Sequence, residues 1–588
     1  MRPTLSELGE YDGTALMEFK TRKTIIYRIK SATACTYEID DTPPFPLNRQ
    51  ALEIGLEIAL LAGTNIVGEL HITRKQYLDG SIPTGFQRTG IIGIEGCIPL
   101  ERKNIRVIQV SVEEDSCREI SDLGHLRHYT TDRLGMPLTE VVTAPEMTTP
   151  QEAAAAANYI RFMARSTGKV RTGSGAARED VNVSIKGGTR VEIKGVSRIR
   201  LIPQLTHNEA FRQKALLFIR DQLKQRCPEP GDWRPDSLTI GSQELNRLPE
   251  RLRQQLPCGI DESLLIVNLP CFKNLLSFFT APGRVFADEL SDRLKVIACL
   301  EKPNLLHSES IPGLSEELEK WLSGKITAAL DSAMVITWGR EDDLCTALET
   351  IEERCRLAFT GVPNETRKPL PSGITEFERV LPGPDRMYPD TDSAPIPISD
   401  ESIETVRKKL PVSIQERLRQ FKKWHVPTDT RTFILARNLA PVMEALINDF
   451  GIAPTQVASL LGHTLKSLAG RTRPSSNFDP RRFHDLFAFL QQENLRPELA
   501  RAMLPLAFQH PKMDFQSILN SIGFTRTGMS EILAHLPALR HKFSQIRTSP
   551  DPQAEVRWIM GQLHRAALGN CSLADLSREV RQACLGGA

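Results

Sequence analysis

Long apolar runs are scarce in this 588-residue sequence. A membrane-spanning helix needs roughly eighteen or more consecutive apolar residues. The best candidate, residues 51–68, is interrupted by Glu53 and Glu57 and is typical of an amphipathic helix instead. The first ten residues also lack the apolar segment of a signal peptide. We therefore expect no membrane span and a cytoplasmic location.

Paired cysteines and glycine-rich nucleotide loops are lacking as well. The eleven cysteines are irregularly spaced and none falls in a C-x-x-C pair, which excludes a zinc ribbon and favours reduced thiols over a disulfide framework. The segment 171–175, RTGSG, matches neither the Rossmann fingerprint nor the Walker A loop. Neither of these two nucleotide-binding motifs is therefore expected.

Net charge is small, at +2, but it is unevenly distributed. Residues 401–588 hold 25 basic and 16 acidic residues, a net charge of +9, whereas residues 1–400 hold 49 and 56, a net charge of −7. Such asymmetry suggests that the two parts meet different partners. The alternative is a pair of solvated surfaces that differ only in sign.

The length is typical of about three or four domains. Two segments rich in Pro and Gly, 228–235 and 361–373, are candidate hinges. Strand and helix patterns mix before the first hinge, and the region between the hinges has the signals of a compact α+β domain. From about residue 399 helix-period apolar patterns dominate. The sequence therefore predicts an α+β protein that ends in a helical domain and a helical tail.

Two alternating stretches within 178–194 predict a β-hairpin. A two-residue loop at 187–188 would pair Ile185 with Arg190 and mix apolar with charged side chains. A three-residue loop at 187–189 pairs apolar residues with each other, Ile185 with Val191 and Val183 with Ile193. The second register is favoured because register follows the hydrophobic pattern.

The opposite face of this hairpin is polar throughout. It collects acids, bases and amides that suit the recognition of phosphate, metal and amino-acid groups, and the alternative is an ordinary solvent-facing surface. The face comprises Asp180, Asn182, Ser184, Lys186, Arg190, Glu192 and Lys194.

Two glutamates on separate predicted strands form a second candidate site. In the strand 105–115, alternation places Ile108, Val110 and Val112 on one face and Glu113, rather than Glu114, on the other. Glu140 precedes the strand-like pair 141–142. Mg²⁺ is commonly held by one or two carboxylates plus waters or phosphates, so the pair suits this ion. The alternative is a pair of exposed glutamates without a ligand.

The segments also form a recognisable set of motifs in one order along two-thirds of the chain. The set resembles the GatB/GatE family, and within it the archaeal-type synthetase subunits (GatE) of glutamyl-tRNA(Gln) amidotransferase. The motifs are RPTLSELGE (2–10), DDTPPFPLN (40–48), HITRK (71–75), DGS (79–81), GFQRT (85–89), EED (113–115), DRLGMP (132–137), Glu140, the hairpin 180–194, RLIP (200–203) and LPGPDRMYPDTD (381–392).

The resemblance implies an ATP- and Mg²⁺-dependent enzyme of protein biosynthesis. Such subunits phosphorylate the γ-carboxylate of glutamate mischarged on tRNA(Gln). Ammonia from a partner amidohydrolase subunit (GatD-like) then displaces the phosphate and leaves glutaminyl-tRNA(Gln). A carboxylate is inert to ammonia until it gains a leaving group, and Mg²⁺ with Lys or Arg would offset the phosphate charge.

The resemblance also implies site residues. Glu113 and Glu140 match the metal-binding carboxylates of the family. The surrounding catalytic residues would be Arg178, Asp180, Asn182, Glu192 and Lys194, with Arg74, Lys75 and Ser184 toward the nucleotide. For tRNA, the sequence offers a dense basic stretch of the helical part: Arg471, Arg473, Arg481, Arg482, Arg496 and Arg501.

The implied domain organisation follows the hinges. A cradle-like synthetase domain would occupy 1–230 and 366–400, with an α+β domain resembling that of bacterial aspartyl-tRNA synthetases inserted at 231–365. A helical domain at 401–505 and a helical tail at 506–588 would bind tRNA.

One element expected from the family has no counterpart in the sequence. Its members usually begin with a Gly-Leu-Glu-Ile-His-like strand, which carries a metal-binding His and a Glu, upstream of the Arg-Pro-Thr motif. Here that motif starts at Arg2. The alternatives are a start site that lies further upstream, or a catalytically incomplete relative that binds tRNA as a scaffold.

Overall fold

A computed structural model describes residues 11, 13–173, 175–228, 230–257, 262–325, 331–381, 383, 387–546, 551 and 553–585. The chain divides into two compact units, Met1–Met163 with Lys169–Leu410, and Ala164–Gly168 with Pro411–Ala588. Over the described ranges, every helix is too short or too polar to cross a membrane.

The first unit contains all the strands of the described chain and a set of helices around them. The helices are α1 Gly13–Lys20, α2 Arg49–Leu61, α3 Pro150–Ser166, α4 Ile202–Arg226, α5 Glu250–Gln255, α6 Phe286–Ile297, α7 Leu314–Leu322, α8 Glu341–Thr360 and α9 Asp400–Arg407. The strands are β1 Thr24–Arg28, β2 Asn65–Ile66, β3 Glu69–Leu70, β4 Ile72–Gln76, β5 Phe86–Pro99, β6 Asn104–Glu114, β7 Arg118–Leu123, β8 Leu126–Thr130, β9 Pro137–Thr143, β10 Glu179–Val183, β11 Val191–Val196, β12 Asp236–Ile240, β13 Ser263–Leu269, β14 Phe279–Ala281, β15 Arg284–Val285, β16 Leu306–His307, β17 Ala333–Gly339, β18 Glu365–Pro369, β19 Thr375–Val380, β20 Met387–Pro389 and β21 Ile396–Pro397.

These strands form several separate sheets. The central sheet has the order β20-β4-β5-β6-β9, with β2 also paired to β5, and the hairpin sheet has the order β10-β11-β18-β19. A third sheet, β12-β13-β17-β16, lies within the segment between the two hinges. A three-stranded sheet, β1-β8-β7, and the short pairs β14-β15 and β21-β3 complete the set.

Helix α2 covers one face of the central sheet. It begins with Asn48 as its N-cap, whose side chain accepts a hydrogen bond of 3.0 Å from the backbone N–H of Ala51. A Cβ at Gly55 would lie 2.5 Å from Ile92 and 2.8 Å from Val112, so glycine allows the helix to approach the strands closely. The opposite face of this sheet is left for polar side chains.

The polarity of β6 follows the predicted alternation only in its second half. Val110 and Val112 are buried, but Ile108 is 49% exposed, and Val107 is buried in its place. The pairing of β6 with β9 shifts register between Val107 and Gln109, which marks a β-bulge at Ile108. The expectation that Ile108 shares the buried face was therefore wrong.

The predicted hairpin is present, but its register differs from both alternatives. Val183 pairs with Val191, and Val181 pairs with Ile193. The chain therefore turns over the longer loop 184–190, two residues out of register from the favoured prediction. Because the difference is an even number of residues, the paired residues Asn182 and Glu192 still share the predicted polar face. Ser184, Lys186 and Arg190 lie in the loop instead.

A buried ionic cluster connects α4 and α6 with the hairpin sheet. The Arg212 side chain, 3% exposed, donates hydrogen bonds of 3.0 Å to Glu209 and 2.7 Å to Glu289, and it pairs with Glu365. Arg367 of β18 pairs with Glu365 at 2.7 Å. Buried charges are stable only when they are paired and hydrogen-bonded, so this cluster ties the elements to one arrangement.

The second unit is helical throughout its described part, as the apolar pattern predicts. Its helices are α10 Ile414–Lys423, α11 Thr428–Ala436, α12 Ala440–Phe450, α13 Pro454–Ser459, α14 Lys466–Arg471, α15 Arg482–Gln492, α16 Ala500–Gln509, α17 Phe515–Ser521, α18 Met529–Ala534, α19 Leu536–Ile546, α20 Gln553–Ala567 and α21 Leu573–Leu585, with a π-helical turn at Leu460–Leu465. The predicted mixture of helix and strand followed by a helical region is thus confirmed.

Candidate active site

Four neighbouring strands of the central sheet bring polar residues together on the face opposite α2. Thr89 of β5 pairs with Glu113 of β6, and Ser111 of β6 pairs with Glu140 of β9. Residues that pair across antiparallel strands share a face. Lys75 of β4 lies on the same face and its ammonium group forms an ion pair with Glu113.

Hydrogen bonds hold both glutamates in place. The Thr89 Oγ1 hydroxyl donates to Glu113 Oε1 at 3.0 Å, and the Ser111 Oγ hydroxyl donates to Glu140 Oε2 at 3.5 Å. The Glu113 side chain is 8% exposed. Two carboxylates therefore lie on adjacent strands with a single lysine beside them.

The electrostatics of the pair indicate an excess of negative charge. Burial and the neighbouring carboxylates of Glu113 and Asp180 raise the pKa of Glu140, although Lys75 acts to lower it. Burial acts to lower the pKa of Lys75, but Glu113 and Glu140 outweigh burial and raise it. The lysine therefore stays charged, and one positive charge faces several carboxylates.

The hairpin contributes its acidic residues to the same place. Asp180 interacts electrostatically with both Glu140 and Glu192, and its Oδ1 accepts a hydrogen bond of 2.7 Å from the Gly195 backbone N–H. Burial and Asp180 together raise the pKa of Glu192, while Lys194 acts to lower it. The structure thus brings the hairpin acids and the sheet glutamates into one cluster.

The other predicted hairpin residues, Asn182, Lys194 and Ser184, differ in their positions relative to Asp180. Asn182 pairs with Glu192 across the two strands and is exposed. The Lys194 ammonium lies 5.9 Å from the centre of the Tyr77 ring. Ser184 lies beyond the end of β10, in the exposed loop, and is therefore the hairpin candidate furthest along the strand from Asp180.

Asp115 connects the hairpin to the central sheet. It is buried, and its Oδ1 accepts a hydrogen bond of 2.8 Å from Arg178. Arg133 lies 3.6 Å from its other oxygen. Sequence reasoning gave Asp115 no role of its own, although its position directly after Glu113 and Glu114 was the signal that pointed to it.

Arg74 lies outside the cluster. Its guanidinium pairs with Asp390 at 2.6 Å and with Asp392, and it lies 4.1 Å from the centre of the Phe86 ring. Neighbouring residues of a strand project to opposite faces, so Arg74 and Lys75 do not share a face of the sheet. These ion pairs connect β4 with the residues that follow β20. The placement of Arg74 therefore does not support the predicted nucleotide contact.

Glu114 also projects away from the cluster, as the alternation predicted. Its carboxylate pairs with Arg88, whose Nη1 donates at 2.7 Å to the backbone carbonyl of Phe45. This ion pair lies on the α2 side of the sheet. Glu113, rather than Glu114, is therefore the glutamate of this strand that lies with Glu140.

One cavity lies outside this cluster, and none of the clustered residues lines it. Its volume is about 1270 Å³ and its walls include Glu18, Asp79, Arg127 and Arg379. Burial and the nearby Asp79 raise the pKa of Glu18 to about 8, against Arg379 at 3.5 Å. Sequence reasoning missed Glu18, which lies in none of the motifs.

The six arginines proposed for tRNA divide into two groups. Five are exposed: Arg471, Arg473, Arg481, Arg496 and Arg501. Arg482 is partly buried, donates to the Met513 carbonyl at 2.7 Å and lies 4.5 Å from the centre of the Phe515 ring. Its guanidinium is thus already occupied by structural contacts.

Within the described ranges, no three His, Cys, Asp or Glu side chains are arranged as ligands around one metal position. Mg²⁺ does not require such a cage, since it commonly takes one or two protein carboxylates and completes its shell with waters and phosphate oxygens. The donor set of Glu113 and Glu140, with its surplus negative charge, fits that ion. The motif 2–10 and residues 382 and 384–386 of the last motif lie outside the described residues.

Comparison with known proteins gives consistent matches. Residues 20–404 match the model of the GatB/GatE catalytic domain. The chain is 35% identical over 537 residues to the E subunit of glutamyl-tRNA(Gln) amidotransferase from Methanocaldococcus jannaschii, covering 90% of this chain and 84% of the relative. The proteins of the same name from Saccharolobus solfataricus and Methanococcus maripaludis are 34% and 32% identical, over 84% and 90% of this chain and 78% and 84% of their own lengths.

Proposed function

This chain belongs to the GatB/GatE family of glutamyl-tRNA(Gln) amidotransferase subunits, and we propose that it activates the glutamate of Glu-tRNA(Gln) with ATP. In the proposed reaction a γ-carboxylate oxygen attacks the γ-phosphorus of ATP and ADP leaves. Ammonia then attacks the acyl carbon of the γ-glutamyl phosphate, and inorganic phosphate leaves with that oxygen. The product is Gln-tRNA(Gln).

One observation carries the assignment of the reaction to this site. Lys75, Glu113 and Glu140 lie together on one face of the central sheet, and the hairpin acid Asp180 is close enough to affect the pKa of Glu140. Phosphoryl transfer depends mainly on the positioning and neutralisation of phosphate charge, which a bound cation and nearby basic groups provide.

The chain's own residues have separable parts in this proposal. Glu113 and Glu140 would hold Mg²⁺, which when bound supplies the positive charge that offsets the phosphates. Lys75 forms an ion pair with Glu113 and adds a second positive charge at the same place. Lys194 and Arg178 flank the hairpin and would orient the aminoacyl group and the nucleotide.

We assign the parts of the chain accordingly. Residues 1–230 and 366–400 would form the synthetase cradle, with the α+β domain inserted at 231–365. The helical domain at 401–505 and the tail at 506–588, which together have a net charge of +9, would bind the tRNA. Ammonia would come from an amidohydrolase subunit that associates with this chain.

Conservative substitution of the two glutamates tests the proposal. Glu140→Gln and Glu113→Gln keep the side-chain shape but remove the negative charge. We expect the rate of Gln-tRNA(Gln) formation from Glu-tRNA(Gln), ATP, Mg²⁺ and ammonium to fall by at least about 100-fold, since even residues that only orient a metal ligand are worth 10- to 100-fold. The Mg²⁺ concentration that gives half the maximal rate should rise.

A matched control separates charge at the site from charge in general. Glu101→Gln removes an exposed carboxylate from the turn between β5 and β6 and should leave the rate unchanged. If the two site variants retain the unaltered rate and Mg²⁺ dependence, the assigned site is wrong. If the unaltered chain forms no product even with an amidohydrolase partner, a tRNA-binding scaffold explains the chain better.

A further inference from the structure

Two cysteines meet where the chain leaves α4 and enters the first candidate hinge, 228–235. Cys227 is the C-cap residue of α4, and Cys271 lies two residues beyond the end of β13 at Leu269. Both are free thiols and both are partly exposed. The two thiol groups are hydrogen-bonded to each other, and the Cys271 sulfur lies 3.9 Å from the backbone carbonyl oxygen of Arg226, the residue directly before Cys227. We call Cys227 and Cys271 the cysteine pair.

Hydrogen bonds on both sides of the cysteine pair hold the two chain segments against each other. The Arg226 Nη1 donates at 3.1 Å to the Cys271 carbonyl and at 2.6 Å to the Lys273 carbonyl. The Trp233 Nε1 donates at 3.0 Å to the Pro270 carbonyl. A disulfide requires two Cβ atoms that approach closely and side chains that point toward each other. Thiols that are already in contact between fixed segments meet this requirement with little movement of the backbone.

The surroundings of the two thiols give them different parts in such a reaction. Burial and the neighbouring Cys227 raise the pKa of the Cys271 thiol to about 11, so this thiol is protonated at neutral pH. Thiol–disulfide exchange starts with a thiolate that attacks a disulfide sulfur. Cys227 is therefore the thiol that meets an oxidant first, and Cys271 is the thiol that closes the bond.

We propose that the cysteine pair is a redox-sensitive site that forms a reversible disulfide with a small-molecule disulfide as the oxidant. The Cys227 thiolate attacks one sulfur of the oxidant, which forms a mixed disulfide and releases one small thiol. The Cys271 thiolate then attacks the Cys227 sulfur, and the second small thiol leaves. The cysteine pair loses two electrons and two protons, and the oxidant gains them.

The disulfide would connect two elements that belong to different sheets. Helix α4 contacts the hairpin loop, because Gln213 accepts a hydrogen bond of 3.1 Å from the Ile185 N–H. Strand β13 lies between β12 and β17 in the third sheet. The bond closes the loop 227–271, and a cross-link of this kind stabilises the folded chain mainly by restricting the unfolded one. The oxidised chain should therefore resist unfolding more than the reduced chain, whatever reaction the protein catalyses.

Peptide mapping of the full chain tests the proposal. The folded protein is incubated with glutathione disulfide, its remaining thiols are alkylated, and it is digested without reductant by trypsin and by a protease that cleaves at acidic residues. Cleavage at Glu262 separates Cys271 from Cys258. Mass spectrometry should find the Cys227 and Cys271 peptides joined, two hydrogen atoms lighter than their sum, and separate after dithiothreitol. The urea midpoint of the oxidised chain should rise by roughly 0.5 M or more.

Two serine variants are the controls. Cys227→Ser should form no cross-link to Cys271, and the oxidant should not raise its urea midpoint. Cys345→Ser removes an exposed cysteine of α8 and should keep both the cross-link and the shift. Recovery of Cys271 from the unaltered chain only as an alkylated thiol, or only as a mixed disulfide with glutathione, would overturn the inference. A bond from Cys271 to Cys258 in place of Cys227 would overturn it as well.

Discussion

Arg212 is the residue whose loss should most clearly reveal how the first unit is held together. Its buried guanidinium contacts Glu209, Glu289 and Glu365, which come from α4, α6 and β18. Substitution by Met keeps much of the volume and removes the charge. Removing one partner of a buried ion pair costs about 3–5 kcal/mol, because the other charge is left buried and unpaired.

The remaining arginines place the expected loss near the lower end of that range. Glu365 keeps Arg367 at 2.7 Å, and Glu289 keeps Arg354 at 3.3 Å. Glu209 is left with the most distant remaining cation, Arg367 at 4.0 Å. We therefore expect Arg212→Met to lower the free energy of unfolding of this unit by about 3 kcal/mol.

Urea unfolding at neutral pH measures this loss as a lower transition midpoint. Arg220→Met on the same helix is the control, because its partner Asp221 is exposed and surface pairs contribute about 0–1 kcal/mol. A loss below about 1 kcal/mol for Arg212→Met would refute the argument, since it would mean that the carboxylates are not left unpaired.

The same variant has a defined dependence on pH. The surrounding arginines, led by Arg212 and acting against burial, hold the pKa of Glu365 at about 2, below the ordinary value of 4.5. A depressed folded pKa gives stability that is present above 4.5 and is lost as the pH falls toward 2. The difference in the free energy of unfolding between Arg212→Met and the unaltered chain should therefore be largest at neutral pH. It should shrink as the pH falls from 4.5 toward 2.

Three further outcomes are expected. Glu18→Gln should gain stability relative to the unaltered chain as the pH rises from about 5 to about 8, because over that range Glu18 is ionised in the unfolded state but still protonated in the folded state, where its pKa is about 8. Lys75→Met should reduce Gln-tRNA(Gln) formation by at least roughly 100-fold without weakening tRNA binding, since one preorganised charged donor is worth that much. Substitution of Arg471, Arg473 and Arg501 by Gln should weaken tRNA binding and reduce its salt dependence by about one phosphate contact per arginine.

Each of these outcomes has a control and a contradicting result. Glu349 is an exposed residue of the same cavity wall, so Glu349→Gln should show no pH-dependent gain in stability. If the stability gain of Glu18→Gln does not change with pH, the raised pKa assigned to the buried Glu18 carboxylate is contradicted. Lys103→Met removes a partly exposed lysine that pairs with Glu152, and an equal loss of activity there would contradict a specific role for Lys75. If the salt dependence of tRNA binding is unchanged in the arginine variant, those arginines do not contact the phosphates of the tRNA.

Features encoded by local pattern were predictable from the sequence. The helix α3 begins at Pro150 and ends at Ser166, with the Thr149 hydroxyl accepting from the Glu152 N–H at 3.2 Å and Gly168 at a φ of +70° just beyond it. The hairpin, its polar face and the choice of Glu113 over Glu114 followed from alternation alone.

Features set by tertiary contacts were not predictable. The hairpin loop contacts Gln213, and the Thr189 hydroxyl of the loop donates a hydrogen bond of 2.9 Å to the Val362 carbonyl. The length of the loop therefore depends on residues that are distant in the sequence. The bulge at Ile108 depends on the pairing of β6 with β9. The position of the Arg74 side chain depends on Asp390, which lies more than 300 residues further along the chain. Local periodicity contains none of this information.

The central claim, that the γ-carboxylate is phosphorylated, can be tested by following its oxygen. Glu-tRNA(Gln) carrying ¹⁸O in the γ-carboxylate is incubated with the protein, its amidohydrolase partner, ATP, Mg²⁺ and an amide donor, and the inorganic phosphate is analysed by mass spectrometry. The mechanism predicts one ¹⁸O atom transferred to phosphate for each Gln-tRNA(Gln) formed from fully labelled substrate. Formation of Gln-tRNA(Gln) with unlabelled phosphate would contradict it.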